Sequence, residues 1–321
     1  MGKTLRASAK EWYVIVNPNA GTRKGERDWP KIQKILYDEN LSFEFITTTH
    51  KEHAIGLTTS AIKKGFRKFI VVGGDGTLNE VVNGIFMQKL VATSELYIAM
   101  IPVGTGNDWC RTFGVPFNYH DAVKTIIAGK IFVQDIGRVY YYNQSKRKRR
   151  FFINIAGMGY DAEVAKRTNN DKNKGKGGPM VYIWNLLASL FYYKHSDMII
   201  GIDGQETRCQ AFSLSVGVCR YNGGGMMQLP HAIPDDGLLD ITLIKKIGKL
   251  TVITQINKLF DGSFVNHPKI QTFRGQKITV ESSPEVLIEI DGESLGHSPF
   301  SFDILPKALN VIAEKMPTTE D

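Results

Sequence analysis

The sequence has only three cysteines in 321 residues, namely Cys110, Cys209 and Cys219. This odd and widely spaced set excludes a disulfide framework and a zinc site built from paired cysteines, and it favours a reducing compartment. No apolar run is long enough to span a membrane as a helix, since the longest, at residues 180–193, is short and contains polar residues. The N-terminal residues contain no apolar signal core, so we expect a cytoplasmic protein.

Two common nucleotide-binding motifs are also absent. No GxxxxGK[ST] segment occurs, which excludes a Walker A loop, and the absence of GxGxxG argues against a Rossmann dinucleotide site. The chain carries 40 Lys and Arg against 32 Asp and Glu, a net charge of +8. That excess suits nucleic acid, an anionic membrane face or phosphorylated substrates, without choosing among them. Because the sequence contains no recognisable nucleic-acid-binding module, we expect no nucleic-acid partner.

The order of strand and helix patterns predicts the fold class. Apolar strand patterns at 13–16, 43–45, 69–72 and 96–101 alternate with helical patterns, which indicates a parallel sheet with helices on both faces. From about residue 131 the chain consists mostly of short apolar strands separated by Gly, Asp and Asn turns. This second pattern predicts an antiparallel, sandwich-like region interrupted by two helices, at about 179–193 and 249–260.

The predicted fold is therefore α/β with two domains. Residues 1–132, joined by 304–321, form a parallel α/β nucleotide-binding domain. Residues 133–303 form a β-rich antiparallel domain that binds the second substrate. The C-terminal segment is assigned to the first domain because the last strand pattern, at 309–313, is expected to return there.

The clearest local motif is the glycine loop at residues 73–80, GGDGTLNE, between an apolar strand and a helical pattern. Its glycines allow a sharp turn and close approach of a ligand, and Thr77 is predicted to cap the helix. Backbone amides at such a helix start favour a phosphate group. Asp75 lies among those amides, and a bridging Mg²⁺ is the simplest reason for an acid there. The alternative is a plain strand-to-helix turn with a solvated Asp75.

Two further polar loops follow predicted parallel strands. Residues 17–21, NPNAG, follow the first strand, and residues 102–108, PVGTGND, follow the fourth. Each alone is compatible with an ordinary turn. Since ligands of open parallel sheets bind at the carboxyl ends of the strands, the three loops together predict one wide phosphate and nucleoside site.

The second half of the chain contains two acidic motifs. Residues 234–240, PDDGLLD, hold three carboxylates whose repulsion a hard cation or basic neighbours would relieve; a polar hairpin turn is the alternative. Asp291-Gly292-Glu293 follows an apolar strand. A carboxylate at a strand end can act as a general base toward a substrate hydroxyl, but Asp-Gly is also a common hairpin turn.

Two basic segments suggest a surface for anionic lipid. Residues 145–150 lie between two strands, and residues 172–178 precede the aromatic helix pattern at 179–193. Both are compatible with a solvated hairpin tip or loop, and the alternative is contact with anionic lipid. A basic loop beside an aromatic helix fits an interfacial surface better than base readout in nucleic acid. We expect peripheral contact with the inner membrane face. An exposed edge strand in the second domain would also allow a homodimer.

The ordered set of motifs resembles the diacylglycerol kinase catalytic-domain family, which includes soluble bacterial lipid kinases and sphingosine and ceramide kinases. The resemblance covers nearly the whole chain. The matching segments are NPxAG at 17–21, GGDGTLNE at 73–80, GTGND at 104–108, GMGYDA at 157–162, DDG at 235–237 and DGE at 291–293. The GGDGT segment is shared with NAD kinases, whereas the full ordered set is much more specific.

The resemblance implies an NAD-kinase-like fold that phosphorylates a lipid hydroxyl with ATP and Mg²⁺, with diacylglycerol as the acceptor and phosphatidic acid as the product. It implies ATP contacts at Asn17, Pro18, Asn19, Ala20, Gly21, Thr48, Gly73, Gly74, Asp75, Gly76, Thr77, Leu78, Asn79 and Thr105.

The resemblance also implies roles for acidic residues. Glu293 would be the general base, and Asp75 would help hold Mg²⁺ on the phosphates. A structural Mg²⁺ would be bound by Asp236 and the carbonyls of Ile233 and Leu238, with Asp235 linking that ion to the active site. Two alternatives stay open: an NAD kinase-type phosphotransferase, and a non-catalytic nucleotide- or lipid-binding protein with the same fold.

Overall fold

The computed structural model describes residues 11–173 and 179–315. The first part of the chain alternates strands and helices. Its elements are β1 (Trp12–Val16), α1 (Ala20–Asp38), β2 (Phe43–Thr47), α2 (His53–Lys63), β3 (Lys68–Gly73), α3 (Asp75–Met87), a 3-10 turn (Thr93–Glu95), β4 (Tyr97–Pro102), α4 (Asp108–Thr112) and α5 (Tyr119–Ala128).

The remainder of the chain is mostly β-structure with helices on one side. Its elements are β5 (Ile131–Asn143), β6 (Lys146–Phe152), β7 (Ile155–Gly159), α6 (Tyr160–Asn173), α7 (Pro179–Tyr192), β8 (Ser196–Ile202), β9 (Gln205–Gly217), β10 (Leu239–Lys245), α8 (Lys249–Gln255), α9 (Lys258–Asp261), a 3-10 turn (Ser263–Asn266), β11 (Ile270–Gly275), β12 (Lys277–Ser283), β13 (Leu287–Ile290) and β14 (Glu293–Ile312).

The parallel part of the sheet has the strand order β2-β1-β3-β4, followed by the end of β14. All five residues of β1 are buried, as are the last five residues of β3. Such continuous apolar runs are expected where helices cover both faces of a sheet. The carboxyl ends of these strands therefore meet at one edge, and the three polar loops leave from it.

The antiparallel part continues the same sheet through β14, in the order β14-β13-β7-β9-β10-β11. Side branches pair β12 with β14 and β8, and β5 with β14 and β6. The predicted fold class, a parallel α/β part plus a β-rich antiparallel part, is confirmed.

Two long strands connect the parts. The β5–β14 ladder extends from the Ile131–Ile312 pair to the Tyr142–His297 pair, and the end of β14 pairs in parallel with β4. The predicted boundaries after residues 132 and 303 fall inside these strands, so the division into two domains stays a prediction. One apolar core spans both parts, and a smaller cluster lies under α6 and α7.

Several local predictions need correction. Helix α3 begins at Asp75 after Gly74, so Thr77 lies inside its first turn and does not cap it. The helix predicted at 249–260 is two short helices, α8 and α9. Helix α6 was not predicted, because its sequence is largely polar and few of its residues are apolar. Part of the basic loop at 172–178 lies outside the described residues.

Candidate active site

The three polar loops contact one another at the carboxyl edge of the parallel strands. The Asn17 side-chain amide donates to the Thr77 hydroxyl at 2.8 Å, which joins the β1–α1 loop to the start of α3. The backbone N–H groups of Val103 and Gly104 donate to the Gly73 carbonyl at 2.9 and 3.0 Å. The loops predicted separately from the sequence therefore form one continuous surface.

Glycine is required where these loops approach each other. Gly21 has a φ of +61°, and a Cβ atom there would lie 2.1 Å from the Val103 carbonyl oxygen. A Cβ atom on Gly104 would lie 2.5 Å from the Gly74 Cα atom. Since contacts below 3.0 Å require the neighbouring backbone to move, these glycines set how closely the loops pack.

The start of α3 faces the centre of this surface. No side chain caps the helix, and Gly74, Asp75 and Gly76 are partly exposed. Uncapped first-turn amides and the positive end of the helix dipole favour an anion at this point. The arrangement fits a phosphate group better than a solvated turn.

The predicted ATP-binding residues differ in their exposure. Asn19 and Thr105 are exposed on the first and third loops, and Asn17, Pro18, Ala20 and Gly21 are partly exposed. Thr48 is nearly buried, and its N–H donates to the Val16 carbonyl at 2.8 Å, so it lies beside the first loop.

Four residues of the glycine loop are less accessible than predicted. Gly73 and Thr77 are buried, and Leu78 and Asn79 are fully buried. The structure therefore does not place Leu78 and Asn79 on the ligand-facing surface. Their helical register turns them toward the protein core, where they support the loop.

Asp75 is part of a pair of acids. Its carboxylate accepts a hydrogen bond from the Trp109 N–H at 3.1 Å, and burial raises its pKa. The nearby Asp108 carboxylate accepts from the N–H groups of Gly224 and Gly225 at 2.8 and 2.7 Å. Burial and the neighbouring Asp75 raise the pKa of Asp108 to about 7. This concentration of negative potential would stabilise a bound cation.

The oxygen donors around Asp75 fit Mg²⁺. The side-chain oxygen of Asn107 is buried without a hydrogen-bond partner, close to Gly104. Within the described residues, no group of three or more His, Cys, Asp or Glu side chains could hold a metal ion alone. Mg²⁺ at nucleotide sites is commonly bound by one or two carboxylates together with the substrate phosphates, which agrees with this sparse donor set.

Glu293 reaches the same place from the antiparallel part. It is the first residue of β14, and its Oε1 atom lies 3.0 Å from where a Cβ atom of Gly76 would be. Its Oε2 atom forms an ion pair with the Lys51 ammonium group at 2.6 Å. The candidate base is thus next to the candidate phosphate loop, although more than 200 residues separate them in sequence.

The neighbouring Asp291 anchors the turn that carries Glu293. Its fully buried carboxylate accepts from the Asn79 side chain at 2.7 Å and from the N–H groups of Ile153, Asn154 and Ile155 at 3.0–3.1 Å. Burial raises the pKa of Asp291 to about 6. The Asp-Gly pair is therefore a hairpin turn and also the link between the glycine-loop helix and the candidate base.

Sequence reasoning missed the role of Arg150. Four residues of the basic strand β6, at 146–149, are exposed as expected, but Arg150 is buried. Its Nε atom donates to the Asn79 side-chain oxygen at 2.8 Å, and its Nη1 atom lies 3.3 Å from a Glu52 carboxylate oxygen. Burial in β6 does not alternate, because 146–149 are all exposed and 150–152 are all buried. Only the tertiary structure therefore identifies Arg150 as the buried residue of the run.

The acidic turn at 234–240 is held by protein donors. The Asp236 carboxylate accepts from the Leu238 N–H at 3.0 Å and forms an ion pair with Arg274. Buried Asp135 accepts from the Gly237 N–H at 2.7 Å. Arg274 thus supplies the positive charge of a basic neighbour, the alternative to a cation at this turn. The ligand set of Asp236 with the carbonyls of Ile233 and Leu238 stays a prediction.

Asp235 is the other predicted residue of this turn. It is partly exposed, and in the described part of the chain no hydrogen bond or ion pair joins it to Asp75 or Glu293. The predicted link between Asp235 and the active site therefore requires the structural Mg²⁺. The structure does not bring Asp235 into the cluster formed by the three loops and Glu293.

An apolar cavity of about 70 Å³ lies between the antiparallel sheet and the helices α6–α9. Its apolar wall includes Leu186, Phe212, Met226, Ile244, Val252, Leu259 and Phe264. Its polar end is Asp161, whose carboxylate accepts from the Ser213 and Ser215 hydroxyls at 2.6 and 3.2 Å. Burial raises the pKa of Asp161 to about 6. The sequence did not reveal this cavity, because its walls come from distant segments.

The outer faces of α7 and α8 expose large apolar side chains. Trp184, Phe191 and Tyr192 on α7 and Leu250 on α8 are each more than 60% exposed. The Lys249 ammonium group donates to the Phe191 carbonyl at 2.6 Å and lies over its ring. No helix in the described residues is long and apolar enough to cross a membrane.

Comparisons with known proteins agree with this geometry. A family model of the diacylglycerol kinase catalytic domain matches residues 11–139. A family model of the YegS C-terminal NAD kinase beta sandwich-like domain matches residues 154–313. The two matches together describe a kinase with an α/β part followed by a β sandwich-like part.

Individual relatives lead to the same family. A diacylglycerol kinase of Staphylococcus carnosus (strain TM300) is 30% identical over 311 residues, covering 95% of this chain and 96% of that protein. One of Staphylococcus aureus (strain MRSA252) is 29% identical over 313 residues, covering 95% and 92%. The crystal structure of a diacylglycerol kinase from Bacillus anthracis str. Sterne has a TM-score of 0.71 at 26% identity, covering 96% of this chain and 98% of that chain. The chain belongs to the diacylglycerol kinase family, and the resemblance expected from its motifs is confirmed.

Proposed function

We propose that the protein phosphorylates the hydroxyl group of a lipid with ATP, and that diacylglycerol is the acceptor and phosphatidic acid the product. The observation that carries the proposal is the contact between Glu293 and Gly76 at the start of α3. This contact puts a carboxylate where an acceptor hydroxyl would meet the phosphate group of a nucleotide bound to the loops. Family membership and the relatives' names support the choice of lipid.

The reaction uses positioning more than covalent chemistry. Glu293 accepts the proton of the acceptor hydroxyl, whose oxygen attacks the γ-phosphorus. The bond between that phosphorus and the β–γ bridging oxygen breaks, and ADP leaves. The amides at the start of α3 stabilise the charge on the transferred group, and Lys51, paired with Glu293 at 2.6 Å, adds a positive charge beside it.

Asp75 and the Asn107 side-chain oxygen are the residues that would hold Mg²⁺ next to the phosphates. When bound, the ion would supply positive charge that offsets the negative charge of the transition state. Without it, Asp75 and Asp108 would repel a nucleotide.

The apolar cavity supports a lipid acceptor. Its wall, which includes Leu186 of α7 and Val252 of α8, offers an apolar surface to part of a lipid chain. The polar end at Asp161 would then limit how far an apolar chain penetrates.

The same exposed side chains support peripheral contact with an anionic membrane. Aromatic side chains favour the membrane interface, and a basic side chain near an anionic surface contributes about 1 kcal/mol. We expect the protein to sediment with vesicles containing anionic lipid, less so in high salt, and Trp184→Ser to weaken this binding. Unchanged binding in that variant would exclude α7 as the contact surface.

The cytoplasmic location and the homodimer expected from the sequence stay predictions.

The kinase assay combines purified protein, ATP labelled at the γ-phosphate, Mg²⁺ and vesicles containing diacylglycerol, ceramide, sphingosine or phosphatidylglycerol. We expect labelled phosphatidic acid. Glu293→Gln should lower kcat by about 10²–10⁴-fold, the usual contribution of a general base. The matched control is Glu281→Gln, which changes an exposed glutamate on β12 and should leave kcat unchanged.

The outcomes separate the parts of the proposal. Full activity of Glu293→Gln would reject Glu293 as the base while leaving the lipid kinase intact. Labelled NADP from an NAD control, with no labelled lipid, would favour the NAD kinase alternative. Absence of phosphate transfer to every lipid and to NAD would favour a non-catalytic binding protein.

A further inference from the structure

Glu289 is a buried acid for which the proposed reaction has no role. It lies in β13, where it pairs with Gly157 of β7 and Ser294 of β14, and its side chain is 2% exposed. A Cβ atom on Gly157 would lie 2.7 Å from its Oε1 atom, so the absence of a side chain there makes room for the carboxyl group. An acid buried this deeply needs partners, because burial of an unpaired charge is strongly unfavourable.

One Glu289 oxygen holds the turn before Glu293. The Gly292 N–H donates to its Oε2 atom at 2.9 Å. Asp291 and Gly292 have φ values of +48° and +84°, as in the two-residue turns that join antiparallel strands. Since the Asp291 carboxylate holds the other side of this turn, both residues before Glu293 are anchored to buried groups.

The other Glu289 oxygen connects this turn to Asp108, beside the glycine loop. It accepts from the Asn222 side-chain amide at 2.7 Å. Asn222 begins the glycine-rich loop at 223–225, and two N–H groups of that loop donate to the Asp108 carboxylate. Hydrogen bonds thus run from the turn of Glu293 to Asp108, the neighbour of Asp75.

We propose that Glu289 is a positioning residue that sets the position of the Glu293 carboxylate relative to the glycine loop. It acts through the Gly292 N–H and through Asn222, and it does not touch either substrate. The inference rests on the proposed function, because it concerns the base of that reaction. A base must lie within hydrogen-bond reach of the proton that it removes, so a displaced turn slows proton transfer more than it weakens nucleotide binding.

The test compares Glu289→Gln and Glu289→Leu in the full chain. Glutamine keeps a side-chain oxygen for one donor, whereas leucine keeps none. We expect kcat to fall about 10-fold in Glu289→Gln and about 100-fold in Glu289→Leu, with KM for ATP within about twofold of wild type. The matched control is Asp203→Asn, because Asp203 also accepts two backbone N–H groups, from Gln276 and Lys277, at a turn outside the site.

A second readout does not depend on activity. Hydrogen exchange at the Gly292 amide should become faster in Glu289→Leu, while exchange in β1 and β3 stays at the wild-type rate. If leucine prevents folding, the same comparison is made with Glu289→Gln, for which we expect an intermediate exchange rate.

The two readouts distinguish failure of this inference from failure of the proposed function. If wild type phosphorylates no lipid but Gly292 exchange responds as expected, the function is rejected and the role of Glu289 in holding the turn is supported. If wild type is active and Glu289→Gln changes neither kcat nor Gly292 exchange, the inference is overturned. An equal loss of kcat in Asp203→Asn would also overturn it, since the effect would then be general destabilisation.

Discussion

Gly21 illustrates how a single residue can serve two purposes at this site. The sequence indicates only that a glycine after Asn-Pro can adopt a positive φ, and the observed value of +61° agrees. The structure adds a second requirement, because the Val103 carbonyl oxygen occupies the space of a side chain. The first requirement is local and can be read from a turn motif, whereas the second depends on Val103, which comes 82 residues later.

We predict that Gly21→Ala is much more harmful than Gly129→Ala. Gly129 has nearly the same φ, +65°, but a Cβ atom there makes only an ordinary contact at 3.7 Å. Backbone strain alone should lower the free energy of unfolding by about 1–2 kcal/mol in Gly129→Ala. Overpacking against Val103 should add roughly 1–3 kcal/mol in Gly21→Ala and raise KM for ATP. Chemical denaturation and steady-state kinetics measure both, and equal losses in the two variants would contradict the close approach.

At the scale of elements, strand β6 has an exposed basic half, at 146–149, and a buried half that begins at Arg150. The run of basic residues at 146–150 was interpreted from the sequence as a solvated hairpin or a lipid contact. The structure separates Arg150, which is bonded to Asn79 of α3, from the exposed residues of the same strand. A run of basic residues gives no sign of where burial begins, because the hydrophobic pattern that normally indicates burial is missing from it.

We predict that Arg150→Gln lowers the free energy of unfolding by about 2 kcal/mol, because a charged hydrogen bond to a buried partner contributes roughly 1.5–3 kcal/mol. It should also lower kcat, since Asn79 holds the Asp291 turn. The exposed neighbour provides the control: Arg149→Gln should change stability by less than about 0.5 kcal/mol. Thermal unfolding of the two variants side by side is the measurement, and equal stability would show that the Arg150–Asn79 contact contributes little.

At the scale of the whole molecule, one sheet joins the three loops of the candidate nucleotide site to the antiparallel part that carries Glu293. The 20-residue strand β14 starts with Glu293 in the antiparallel part and ends beside β4 in the parallel part. Several acids of the molecule are buried, and burial raises their pKa values. The shifted groups are Asp108 at about 7, Asp161, Asp240 and Asp291 at about 6, and Glu289 at about 8.

These shifts predict that the protein becomes less stable as pH rises toward 8. An acid whose pKa is raised in the folded state binds more protons there than in the unfolded chain. Its contribution to the free energy of unfolding is therefore complete below the unfolded-state pKa and is lost as pH rises through the folded-state pKa. Of these groups Glu289 has the highest pKa, because it is buried and because the Asp161 and Asp291 carboxylates lie nearby. It therefore dominates the pH dependence of stability between about pH 7 and 8.

We therefore expect Glu289→Gln to flatten the pH dependence of unfolding in that interval, by at most about 1.4 kcal/mol per pH unit. The hydrogen bonds from Asn222 and Gly292 stabilise the ionised carboxylate and so limit how far its pKa is raised. Urea unfolding at several pH values measures the slope. The same slope in wild type and variant would show that Glu289 does not titrate there.

Much of the candidate nucleotide site could be predicted from the sequence. Apolar runs followed by Gly, Asn or Pro identify the parallel strands and the loops that leave them, because these signals are local to each segment. Family motifs then predicted Glu293 at the site, and the structure brings it to Gly76.

The remaining features depend on contacts between distant segments, and local patterns do not contain them. Leu78 and Asn79 look like part of a phosphate loop but are turned inward by the helix register, and Asp236 looks like a metal ligand but faces Arg274. The burial of Glu289 and Arg150 and the formation of the apolar cavity follow only from contacts between segments far apart in the chain. Amino-acid order alone thus specifies where glycine-rich turns follow the parallel strands, because those signals are local. Tertiary packing decides which side chains of these turns are exposed and which are buried in contacts between segments.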